Sequence, residues 1–243
     1  MLDDSPTQDA TVDWTAYART YDMLLDHNPA YQDLIERFDR FVVARCPETP
    51  FRAVDVGGGT GNFAERLLAR RPNANLTLVE PDAGMRARAT EKFARYGDRV
   101  SFIAESCEDH QPSPDYDLVI STHAIYTVSD QRAALRKLFD LGRPGAQLFL
   151  IDFGGRMNVR DWSFYLVTRL LMRVGPIETV RLIRNSGEIA KQNGHVREMQ
   201  DAGRYWLHGK DEFVAEVVAT GWTVDAAYSV YRGYSTLVTG RKP

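Results

Sequence analysis

Between Arg52 and Phe153 five short apolar runs alternate with longer amphipathic stretches, and this alternation constrains the fold more than any other feature of the chain. The runs are FRAVDVG, NLTLVEP, VSFIAE, YDLVIST and AQLFLIDF. Each is rich in β-branched or aromatic residues and bounded by Gly, Pro, Asn or Asp, as buried parallel strands are. The stretches between them predict helices over residues 62–71, over 83–96 after a cap at Asp82, and over 130–141. Strand–helix–strand order of this kind implies a doubly wound α/β sheet.

The flanks read differently. Residues 1–45 predict a helical lid and 46–154 the α/β core. Residues 155–221 predict a helical cap over an acceptor, and 222–243 two further strands that complete the core. In the cap, Asn158 is placed to open a helix that stops at Gly175-Pro176, and Asn185 with Glu188 resembles a capping box.

VDVGGGTGNF, residues 54–63, closes the first predicted strand and opens the first helix, where a glycine turn can cradle a nucleotide. Gly57, Gly59 and Gly61 let the backbone turn tightly and approach a ligand with no Cβ in the way. A P-loop needs Gly-Lys-Ser/Thr after such a turn, and the chain has Gly61-Asn62-Phe63. A dinucleotide fingerprint needs glycine at position 62, for close passage of a pyrophosphate, and Asn62 stands there. Glu80 ends the second strand, where a carboxylate meets ribose hydroxyls. Glu105 and Ser106 end the third, within reach of an adenine amino group, and Met85 can pack on the purine. A ribose site without a pyrophosphate site suggests an adenosyl ligand.

In that order and spacing, VDVGGGTGNF, LTLVEPDAGM, VSFIAES, YDLVISTHAIYTVSD and LGRPGAQLFLIDF resemble the class I S-adenosylmethionine-dependent methyltransferases of small-molecule type. The resemblance implies an α/β fold, a doubly wound, mostly parallel, seven-stranded Rossmann-like sheet with a helical lid, whose last two strands, in 222–243, are antiparallel at the sheet edge. It also implies S-adenosyl-L-methionine as cofactor. Asp55, Gly57, Gly59 and Gly61 would line its methionine end, with Tyr21 and, one turn earlier, Tyr17 at the carboxylate. Glu80 would hold the ribose, Glu105 and Ser106 would meet the adenine, and Ser121, Thr122 and His123 would border the sulfonium. Catalytic groups are expected after the fourth strand. Many similar enzymes carry histidines at the positions of Tyr126 and Thr127, so His123 and Tyr126 become the candidates here.

Candidate acceptor-binding residues come from the cap: Arg169 and Arg173, one turn apart on an apolar helix, and Asn193, Tyr205, Trp206 and His208 in a polar–aromatic stretch. No carboxylate cluster suited to a catalytic metal can be assembled, so no metal is expected. The Asn/Asp-Pro-Pro-aromatic motif of nucleobase methylation is missing from STHA. A net charge of −3 supplies no field for nucleic acid. A small-molecule acceptor is therefore expected, without nucleic acid and without stable membrane insertion.

The polar opening MLDDSPTQDATVDW reads as no secretory leader, and two widely separated cysteines suit a reduced, cytoplasmic protein. The leading function is N- or O-methylation of a metabolite by in-line displacement. The alternative is attack on the aminocarboxypropyl carbon of the same cofactor, or its intramolecular cyclisation, releasing methylthioadenosine. A non-catalytic binding module and a nicotinamide-dependent dehydrogenase are the remaining readings; the intact glycine turn opposes the first and Asn62 the second.

Overall fold

A computed structural model describes residues 12–22, 26–111 and 114–243. The opening stretch read as leaderless is thus largely outside the described residues, as are 23–25 of the expected N-terminal lid.

Seven strands form one sheet in the order β3-β2-β1-β4-β5-β7-β6. The first five, β1 (Phe51–Val56), β2 (Ala74–Val79), β3 (Val100–Ile103), β4 (Tyr116–Thr122) and β5 (Gly142–Phe153), pair in parallel. β6 (Thr223–Val230) and β7 (Ser235–Arg241) join antiparallel beyond β5. Helices on both faces explain why β1 and β2 are buried at nearly every position, and hence why their sequences run apolar instead of alternating. The sheet order turns back between β1 and β4, the switch point where open α/β sheets leave a crevice at the carboxyl ends of their strands.

Helix α1 is Trp14–Tyr21 and α2 is Pro29–Arg45. Leu34, Phe38 and Val42 of α2 pack with Phe63, Leu67 and Phe149 in the core on one face of the sheet. The second half of the expected lid is therefore a layer of the core, because its apolar stripe has the sheet to bury against. α3 (Asn62–Arg70) and α4 (Ala83–Phe93) lie on that same face, α4 opened by the Asp82 carboxylate, which accepts from the Met85 amide at 2.8 Å. The opposite face is covered by α5 (Gln131–Leu141) and α8 (Lys210–Ala219). Phe213 and Val217 of α8 are fully buried there, so the cap ends before residue 210 and not at 221.

The cap consists of α6 (Val159–Asn185) and α7 (Gly187–Asp201). Asn158 caps α6 through the Asp161 amide, and Gly175 interrupts it with φ 78° and ψ 173° before Pro176 restarts it. The expected box at Asn185 does not form. Asn185 is still helical, and α7 follows almost without a break from Ser186, which makes no side-chain cap.

Candidate active site

The glycine turn sits at the switch point. Gly57, Gly59 and Gly61 all have positive φ, of 68°, 58° and 79°. At Gly57 a Cβ would lie 2.4 Å from the Ala124 Cβ, so this glycine is what lets the β1 and β4 loops close on each other. Asn62 is anchored: its amide donates to Tyr31 Oη at 3.3 Å, and its carbonyl oxygen accepts from Lys92 Nζ at 2.6 Å.

Above the turn lies a cleft of about 930 Å³ lined by Gly57 to Gly59, Glu80, Met85, Ser106, Thr122 and His123, with Tyr21 at its α1 side. Glu80 accepts from the Gly59 amide and the Asp82 amide, both at 2.9 Å, which leaves lone pairs on both oxygens for a diol. Asp55, beneath the turn, is 1% exposed, and neither carboxylate oxygen has a hydrogen-bond partner among the described residues. Burial, reinforced by the nearby Glu80 charge, pushes its pKa up to about 7.

These residues fit S-adenosylmethionine. An unpartnered buried carboxylate calls for a cation, and the methionine end of that cofactor carries an ammonium. The described lining also holds Glu80 and Glu108 but no Lys or Arg, which suits a cationic sulfonium and disfavours a pyrophosphate.

A second cavity of about 490 Å³ adjoins the cleft, sharing Trp14, Tyr21, Tyr31 and His123 with it. Tyr17, Tyr126, Phe153, Met157, Asn193 and Tyr231 complete most of its wall. The three non-glycine residues with positive φ in the described chain are His123, Tyr231 and Arg232, at 53°, 52° and 61°, and all belong to this wall or its support. His123 is held by Ser235 Oγ at 2.9 Å from Nε2, and its own amide donates to the Ile151 carbonyl at 2.7 Å. Arg232 forms a two-pronged pair with Asp161 at 2.7 and 3.0 Å and lies over the Tyr165 ring at 4.2 Å. That clamp fixes the turn before β7 against the first turn of α6 and aims Tyr231 into the cavity.

Among the described residues, no charged group lines the second cavity. Burial lowers the His123 pKa to about 4, so its ring is neutral at pH 7. Burial likewise raises the phenols of Tyr17, Tyr21, Tyr31, Tyr126 and Tyr231, which stay protonated.

Not every expected residue comes to the site: Asp55 lies sealed beneath the turn and Gly61 packs against the Phe93 ring, and neither lines the cleft. Ser121 is fully buried and donates to the Val56 carbonyl at 2.8 Å, behind the cleft. Glu105 turns outward to His110 at 2.8 Å, and Glu108 lines the cleft in its place, because the loop after β3 bends back through Ser106 and Asp109. Arg169 and Arg173 line neither cavity; Arg169 lies over Tyr165 at 5.5 Å and Arg173 donates to Gln32 at 2.9 Å. Tyr205 packs behind Tyr126 at 5.2 Å. Trp206 and His208 sit deeper. Trp206 donates its amide to the Tyr126 carbonyl, and His208 faces Asp152 at 3.4 Å and stacks on Phe213. Of the expected acceptor residues, Asn193 alone reaches the cavity. Trp14 and Tyr31 were not among the expected site residues, whereas the YRGYS turn that holds Tyr231 is already a candidate pocket wall in the sequence.

Comparison with known proteins gives the same architecture a family. Residues 54–148 match the family described as Methyltransferase domain. A malonyl-[acyl-carrier protein] O-methyltransferase of Ilyobacter polytropus is 28% identical over 141 residues, covering 57% of this chain and 50% of that protein. A ubiquinone/menaquinone biosynthesis C-methyltransferase of Xanthomonas campestris is 29% identical over 145 residues, covering 58% and 56%. The chain thus spans about half the length of these curated relatives. Among solved structures, the N-methyltransferase NodS of Bradyrhizobium japonicum, in complex with S-adenosyl-L-homocysteine, superposes with a TM-score of 0.62 at 14% identity, covering 94% of this chain and 99% of that one. Residues 54–148 thus carry a methyltransferase domain, and the sheet order and glycine turn around it are similar to those of the class I S-adenosylmethionine-dependent methyltransferases.

Proposed function

We propose that this protein methylates a small, largely uncharged acceptor whose reacting atom sits in the aromatic cavity beside His123. The observation that carries this reading is the junction itself: a cleft suited to the cofactor opens at His123 onto a cavity walled by neutral rings. When bound, S-adenosylmethionine supplies an electrophilic methyl on a sulfonium.

The residues of the chain do the rest. Glu80 holds the ribose portion, and Asp55, buried beneath the glycine turn, places negative charge under the cationic portion. Tyr21 and Tyr31, shared by both cavities, exclude water and offer π faces to positive charge, a contact worth roughly 0.5–2 kcal/mol. Tyr17, Tyr126 and Tyr231 orient the acceptor. With its pKa near 4, His123 is a poor general base, so it positions the acceptor by a hydrogen bond and shape. Rate enhancement then comes from proximity and from a dry, low-dielectric site in which opposite charges cancel. Such a site favours acceptors that arrive nucleophilic, such as a carboxylate, an acidic phenol or a free amine. The low local charge supports a small-molecule partner over a nucleic acid. A cytoplasmic location belongs to the same proposal, supported by two unpaired cysteines.

The test is turnover of methyl-deuterated S-adenosylmethionine against a panel of phenols, carboxylic acids, amines and phosphorylated metabolites. A trideuteriomethyl group on an uncharged-bodied acceptor supports the reading. Label confined to phosphorylated or polycationic acceptors overturns it.

A further inference from the structure

A third hollow of about 960 Å³ lies in the cap, between the two halves of α6 and the start of α7. Its wall is mostly aliphatic, with Val159, Leu166, Val167, Leu170, Leu182 and Ile189 prominent. Asn193 lines both this groove and the acceptor cavity. Elsewhere the partition is thin and made of side chains. Trp162 on the groove side lies 4.6 Å from the Tyr231 ring on the cavity side, and Asn28 on the groove side donates to Tyr231 Oη at 3.1 Å.

Of the polar residues in the groove wall (His27, Asn28, Ser163, Ser186 and Asn193), Asn28 and Asn193 stand at that partition. Trp162 is 5% exposed, and its indole N–H is buried without a hydrogen-bond partner among the described residues. A buried donor left in this way costs stability unless something accepts from it. A mostly apolar channel whose wall carries Asn28, Trp162 and Asn193 where it borders a reaction cavity has the polarity of an amphiphile: hydrocarbon along the groove, a polar atom at its inner end.

We propose that the groove holds the hydrocarbon tail of the acceptor, so that the substrate class is a polar or aromatic head bearing a linear apolar chain. This deepens the methyltransferase reading and rests on it for what happens to the head, but the groove can be tested without turnover. Elongating the tail should tighten binding by about fourfold per methylene, until the groove is full.

The experiment titrates a series of 4-alkylphenols, from 4-ethylphenol to 4-nonylphenol, into the full chain by calorimetry. It is repeated with Ser163→Trp, which plugs the exposed rim of the groove, and with Val167→Trp, which fills it deeper. S-adenosylhomocysteine is titrated into all three proteins separately. The expected result is a steep gain in affinity with chain length in the wild type, flattened in both variants, with S-adenosylhomocysteine binding unchanged. Affinity independent of chain length overturns the proposal, as does an equal gain in wild type and variants, which would place the tail elsewhere on the surface. Should one variant fail to bind S-adenosylhomocysteine or to fold, the other and the wild-type series still decide. Failure of S-adenosylhomocysteine to bind the wild type would count against the cofactor reading, while the alkylphenol series would judge the groove independently.

Discussion

The His123 imidazole and the Ser235 hydroxyl, 112 positions apart in sequence, meet with Nε2 and Oγ 2.9 Å apart. The contact joins the loop after β4 to the first residue of β7, across the end of β5, and holds His123 in a left-handed conformation with φ 53°. A strained backbone kept in place by such a contact is a common mark of a working site. His123 and Ser235 therefore act as one unit at the junction of the two cavities.

Ser235→Ala should free the ring without removing it. We expect kcat to fall about tenfold with cofactor affinity unchanged, and His123→Ala to fall by about a hundredfold, the lower range for a positioned polar group. Because the His123 pKa is about 4, the wild-type rate should show no histidine limb between pH 5.5 and 8, judged against about 6.5 for an ordinary histidine. A limb in that window that vanishes in His123→Gln would contradict the neutral-ring assignment.

Asp55 gives a prediction with opposite signs for stability and binding. Its folded pKa, about 7, lies above the ordinary 3.8, so the folded state holds the proton more tightly than the unfolded state. Stability without cofactor should therefore be lost as pH rises from about 4 to 7, and stay level above that. Asp55→Asn should raise the melting temperature at pH 8 and lose that advantage at pH 5, read by calorimetry. S-adenosylhomocysteine, whose ammonium favours the ionised carboxylate, should bind the wild type progressively more weakly below pH 7. The variant should bind roughly tenfold or more weakly at pH 8, with that pH dependence gone.

Two alanine substitutions separate fold from binding at the glycine turn. Gly57→Ala places a Cβ 2.4 Å from Ala124 and should cost several kcal/mol, seen as a large loss of melting temperature. Gly59→Ala meets only the Met85 sulfur, at 3.9 Å, and pays mainly the left-handed penalty of roughly 1–2 kcal/mol. It should keep the fold and lose cofactor affinity.

Arg169→Ala and Arg173→Ala should each change kcat/KM by less than about twofold in steady-state assays, since neither side chain faces a cavity. His208→Ala should instead lower stability by about 2–4 kcal/mol, because it removes the side chain that faces Asp152 Oδ2, leaving this buried carboxylate to backbone amides such as that of Tyr126, and opens a hole beside Phe213.

The nucleotide half of the site was readable because its parts are local. Gly57 and Glu80 stand just beyond the ends of β1 and β2, and Met85 lies in the first turn of the next helix; strand ends and helix starts follow from apolar period, turn residues and the Asp82 cap. The doubly wound parallel core followed from the same signals, and the antiparallel pair at its edge from the family resemblance. The acceptor half is tertiary: Tyr31, His123, Asn193 and Tyr231 come from four segments, and nothing in one segment's period reports where the others point. Arg169 and Arg173 looked like an anion fork only because the sequence does not say which face of α6 turns inward. Glu105 was misplaced by the bend after β3, a choice made by Ser106 and Asp109.

The most direct measurement is mass spectrometry of the adenosyl product after incubating the purified protein with S-adenosylmethionine, with and without a metabolite extract, against heat-inactivated controls. The account predicts S-adenosylhomocysteine that appears only with extract, in step with an acceptor heavier by one methyl group. Methylthioadenosine above the control, especially without extract, would contradict it and assign the junction at His123 to attack on the aminocarboxypropyl carbon instead.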